Sequence, residues 1–64
     1  MQLLIGFFDA YTQDVIFSTS KMVIVPRLGE HVLYQGRRYR VTYVEYTPTS
    51  DGAIVSVRVD LVPA

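Results

Sequence analysis

The chain has 64 residues, half of them hydrophobic and 19% charged, and its six basic and six acidic side chains leave no net charge. This length supports one domain at most, and such a domain buries only about 60% of its unfolded surface. The absence of Cys excludes disulfides and thiolate metal sites, one His among six dispersed carboxylates argues against structural zinc, and the charge balance argues against a generic electrostatic binder of nucleic acid or membrane.

Met1 to Asp9 is apolar, with Gly6 weakening any helix, and is expected to form the first strand. Leu3, Ile5 and Phe7 would share one face, and Leu4 and Phe8 the other. With both faces apolar, the strand should lie centrally in a sheet or against a partner. The stretch lacks the basic start and small-residue cleavage site of a secretory signal, no apolar run is long enough to cross a bilayer, and a cytoplasmic location is expected. Asp9 to Asp14 is polar, with Asp at both ends, and suits a turn. Val15 to Ser18 reads as a strand, Ser18 to Lys21 breaks the pattern, and Met22 to Val25 resumes it. Pro26 ends that strand or sets it on an edge, and Leu28-Gly29-Glu30 reads as a turn.

His31 to Tyr34 is a short strand, joined through Gln35-Gly36 as a tight hairpin to the longest strand, Arg37 to Tyr46. The alternation of that strand slips in the middle, and a β-bulge near Thr42 or Tyr43 would turn Tyr39, Val41 and Val44 all inward. Thr47 to Gly52 reads as a loop. In the last strand, Ala53 to Val62, the residues Ala53, Val55, Val57, Val59 and Leu61 face inward, Ile54, Ser56, Arg58 and Asp60 face outward, and Pro63 stops it. The whole chain, residues 1–64, is therefore expected to be a single all-β domain: a small barrel of five or six short, mostly antiparallel strands with no substantial helix.

No stretch carries a recognisable chemistry. His31 follows Glu30, a pairing that could orient a general base, but no nucleophile stands beside it. The carboxylates Asp9, Asp14, Glu30, Glu45, Asp51 and Asp60 fall on separate loops and faces, which suits solubility and turns rather than acid–base hydrolysis. Catalytic residues, cofactor and metal are all expected to be none. The most suggestive group is Arg37-Arg38-Tyr39-Arg40 with Tyr34, Tyr43 and Tyr46 nearby. Arg38 and Arg40 would share a face, joined by Arg58 from a neighbouring strand. Such a surface can hold phosphate and stack bases, serve as a protein-interface anchor, or simply guard an edge strand by charge.

The positions Pro26, Gly29-Glu30, Val32, Gly36, Tyr39, Val41 and Val44 resemble a pattern found in small SH3-like β-barrel proteins, many of them from bacteriophages and other mobile elements. These are turn and core positions over about a third of the chain, so the resemblance implies a fold and carries over no functional residue. Met22-Val23-Ile24 through Arg27 and Gly29-Glu30 is also similar to the opening of the carbon-storage regulator family of RNA-binding dimers, but those proteins need a following helix that is not legible here.

A small domain without disulfide or metal, yet half hydrophobic, is expected to self-associate or sit on a larger protein. The expected function is accordingly non-enzymatic: an interaction or assembly protein, homo-oligomeric, with Leu4, Phe8 and Ile54 as oligomer contacts. The alternative is a nucleic-acid-binding barrel using Arg38, Arg40 and Arg58 with Tyr34, Tyr43 and Tyr46. No membrane and no small-molecule substrate is implied.

Overall fold

The long strand sets the frame. In the computed structural model, which describes residues 2–22 and 24–63, Arg37–Pro48 runs as one strand of 12 residues, and the molecule extends 40 × 20 × 18 Å. Numbered in chain order, the strands are β1 (Gln2–Asp9), β2 (Val15–Thr19), β3 (His31–Tyr34), β4 (Arg37–Pro48) and β5 (Gly52–Leu61). They form one sheet in the order β2-β1-β5-β4-β3. Neighbours pair antiparallel, except that β1 runs parallel to β5. No helix occurs among the described residues.

The sheet curls because two strands carry an extra residue. Val41 faces Val59 and Tyr43 faces Arg58, so Thr42 has no partner of its own. A bulge of this kind bends its strand and sharpens the twist. Here it shifts the parity so that Tyr39, Val41 and Val44 all turn toward the core, as the sequence pattern requires. The Thr42 hydroxyl donates to the Arg58 carbonyl at 3.3 Å, which ties the bulge back to β5. A second shift lies in β2, where Phe7 faces Phe17 and Phe8 faces Val15, leaving Ile16 as the extra residue packed against the core.

The concave face holds that core. Ile5 and Phe7 of β1, Tyr39 and Val41 of β4, and Val55, Val57 and Val59 of β5 are buried. The strict alternation of β5 produces its three consecutive inward Val residues. Phe17 extends the core as the middle ring of a three-ring stack, 4.4 Å from Phe7 and 4.1 Å from Tyr34. That stack brings the two edges of the sheet together through side chains alone. No Cα of β2 comes within 8 Å of one in β3, so the sheet is a half-barrel with two edges unpaired in it.

Three details differ from the sequence reading. Met22, Ile24 and Val25 form no strand. Met22 and Val25 instead pack against the core as part of a covering segment, and Val23 lies outside the described residues. Thr47 and Pro48 belong to β4, because Pro48 can pair with Ala53 at the strand end, and the loop narrows to Thr49–Asp51, closed by the Thr49 N–H on the Gly52 carbonyl at 2.9 Å. Leu61, although on the inward parity, is about half exposed, because β5 runs past the end of β1 there.

Candidate functional site

The convex face of a curled sheet meets solvent, and polar side chains are expected along it. In the central pair β1–β5 the reverse holds. Leu4 lies directly opposite Ile54, and the two side chains are 45% and 44% exposed. Two residues further along β1, Gly6 faces Ser56. The Phe8 ring lies back over Gly6, so near that an added Cβ would come within 3.0 Å of Phe8 Cε2. Val15, opposite Phe8 on β2, is exposed as well. The three residues expected as oligomer contacts therefore occupy one face, with Leu4 and Ile54 touching positions and Phe8 joined to them across Gly6.

The arginines share this face but not one cluster. Arg58 on β5 sits between Phe8 on β1 and Tyr43 on β4, and its guanidinium carbon stands 4.8 Å from the Tyr43 ring centroid. The Tyr43 hydroxyl donates to Glu45 Oε2 at 3.3 Å, which fixes the ring. Arg40 lies one row on, opposite Asp60 on one side and His31 on the other. Asp60 Oδ1 is buried and finds no hydrogen-bond partner among the described residues. Arg38 lies beyond, opposite Leu33. The bulge at Thr42 separates Arg40 from Arg58, so the alternation that grouped them along the sequence spreads them over the surface.

Two of the tyrosines grouped with them belong to the other face. Tyr34 is spent in the stack on Phe17. Tyr46, opposite the buried Val55, stands at the open end of the concave face. There it lines a groove of 780 Å³ with Leu3, Ile24, Pro26, Leu28 and Val44. Leu28 and Ile24 are exposed in this groove. The sequence reading missed it, since Pro26 to Glu30 registered only as a chain reversal; the signal was the pair of large aliphatic residues flanking Pro26 in a loop.

His31 has no general-base arrangement. It is exposed, and the Glu30 carboxylate turns away to accept the Arg27 backbone N–H at 2.6 Å. Among the described residues no three His, Asp or Glu side chains converge on a common point. The carboxylate held most firmly is Asp9, where the N–H groups of Thr12 and Tyr11 keep the pKa below its ordinary 3.8 by hydrogen bonding to the charged form. Its role is to close the β1–β2 turn, with Gln13 at φ 63.

Comparison with family models, with curated proteins and with solved structures finds no match.

Proposed function

We propose that this chain is a small non-enzymatic assembly protein that associates with copies of itself through the convex face of β1 and β5. The observation that carries the reading is the Leu4–Ile54 pair: two half-exposed aliphatic side chains at the middle of a sheet, where a solvated face would be polar. Gly6 and Ser56 beside them carry no charge, and the Phe8 ring lying over Gly6 continues the apolar surface. Two copies can therefore meet there about a two-fold axis without opposing like charges. On the strength of the resemblance in its turn and core positions, the domain is proposed as SH3-like, of bacteriophage or mobile-element type, working in the host cytoplasm.

Ile54→Asp places a charge at the centre of this face without touching the core. In sedimentation, the variant is expected to run as a 7.3 kDa species where the parent runs as a multiple of it. A variant that keeps the parent's assembly state would remove Ile54 and its surroundings as the contact.

A second reading rests on Arg38, Arg40 and Arg58 sharing the convex face with Tyr43, as a single-strand binder requires. The Arg58 guanidinium already covers one face of Tyr43, and Arg40 faces Asp60, so this surface offers less to a base or phosphate than its composition suggests. Titration with a single-stranded oligonucleotide at low salt decides it: binding that weakens steeply with salt, and loses slope in Arg38→Ala, would displace the assembly reading of this face.

A further inference from the structure

We infer that the free edge of β3 takes up an extended acidic segment of another protein as a sixth strand. Edge strands of monomeric domains are commonly protected by an in-strand charge, a proline or a bulge. β3, His-Val-Leu-Tyr, is limited as an edge by its length of four residues, but it holds no Lys, Arg, Asp, Glu or Pro, and its register on β4 is continuous from His31 to Tyr34. The hydrogen bond from the Val41 N–H to the Glu30 carbonyl, 2.8 Å, sets the phase of the ladder. In an antiparallel pair the bonded positions alternate, so Val32 and Tyr34 direct their backbone groups to β4, as does the Glu30 carbonyl, while the Glu30 N–H donates to the Arg27 carbonyl. His31 and Leu33 direct theirs outward. No β2 Cα lies within 8 Å of β3, and among the described residues no other backbone group bonds to them.

Charge selects the occupant. The hairpin from residue 31 to 40 holds His31, Arg37, Arg38 and Arg40 and no carboxylate. Of the neighbouring carboxylates, Glu30 accepts the Arg27 N–H and Glu45 the Tyr43 hydroxyl, while Asp60 lies opposite Arg40 on β5, so the hairpin cations that face no carboxylate across the ladder are Arg37 and Arg38. On the outer face Leu33 and His31 lie opposite Arg38 and Arg40. An added strand would sit about 4.8 Å beyond β3, within reach of these long side chains. Its outward positions should therefore be Asp or Glu. Its inward positions should be apolar and no larger than Val, because the Tyr34–Phe17 stack lies beneath the gap. A cavity lined by Met22, Ile24 and Pro26 opens beside His31 and can receive one of them. A second copy of this chain fits poorly, since a two-fold through this edge would bring two arginine hairpins together. The site is separate from the Leu4–Ile54 face, so either surface can fail its test without the other.

The probe is a synthetic peptide of about eight residues alternating Glu and Val, a common strand length. It is added to the full chain while amide hydrogen exchange is followed. The His31 and Leu33 amides are expected to slow about ten-fold on binding, while Val32 and Tyr34, already bonded to β4, change little. Arg38→Ala combined with Arg40→Ala should weaken the peptide about ten-fold, and about 0.5 M salt should do the same. Leu33→Pro, which removes an outward donor but no bond to β4, should abolish the alternating protection; its unfolding midpoint reports whether the fold survives, and the arginine variant tests the site independently of it. Unchanged exchange at His31 and Leu33 would overturn the inference. So would equal binding of a peptide with its Glu and Val residues in separate blocks, or an oligonucleotide protecting the same amides in place of the peptide.

Discussion

At the scale of single residues, turn chemistry sets the most exacting demands. Gln35 and Gly36 both have positive φ, 51° and 77°, the pairing of a type I′ hairpin. Glycine adopts this conformation freely, and glutamine does so under strain. Gln35→Asn is therefore expected to stabilise the protein by roughly 0.5 kcal/mol, and Gly36→Ala to destabilise it by about 1 kcal/mol, in denaturant unfolding. Opposite signs would mean the turn is not held in this form. Asp9 makes a prediction in pH. Its folded pKa lies below the ordinary 3.8, so its contribution is complete above the unfolded value and is lost as pH falls through the folded one. The parent should be more stable than Asp9→Asn at about pH 6, and that advantage should vanish by about pH 2. A gap of constant size across this range would assign the effect to shape rather than charge.

At the scale of elements, the edges of the half-barrel meet through Phe17 and Tyr34 rather than through backbone pairing. A double-mutant cycle with Phe17→Leu and Tyr34→Leu should return a coupling of about 0.5–1.5 kcal/mol, the usual worth of an aromatic pair. Additive effects would show that the edges are held apart in solution. This contact also marks where the sequence ceased to be readable. The hairpin, the bulge at Thr42 and the inward Val residues of β5 are local, and were legible from parity and turn residues. The parallel pairing of β1 with β5 and the stacking of Tyr34 on Phe17 join residues far apart in sequence. No local pattern specifies such partners, so Tyr34 read as a neighbour of the arginines it precedes in the chain. Met22 and Val25 misread for a related reason: a run of apolar residues fits a strand or a core-covering segment equally well, and tertiary packing decides.

At the scale of the whole molecule, the protein divides its apolar side chains between a small core and a surface. The fully buried set is Phe7, Ile5 and four Val residues, whereas Leu4, Ile54, Leu33, Leu28 and Ile24 are exposed. For so short a chain this distribution is costly unless something covers part of the surface. The convex Leu4–Ile54 face is the surface proposed for self-association; the sequence pointed to Leu4 and Phe8 because β1 is apolar on both sides, and to Ile54 as an outward apolar residue of the last strand. The concave groove at Tyr46 and the β3 edge became visible only with the fold, since each joins segments that the sequence reads separately. The most direct test of the assembly reading is the mass of the unmodified chain in solution, by light scattering behind a sizing column over a range of concentrations. A discrete integer multiple of 7.3 kDa, persisting on dilution into the micromolar range (about 1 μM) and insensitive to moderate salt, is the expected result. A single 7.3 kDa species at every concentration would mean that the Leu4–Ile54 face is not covered by a second copy.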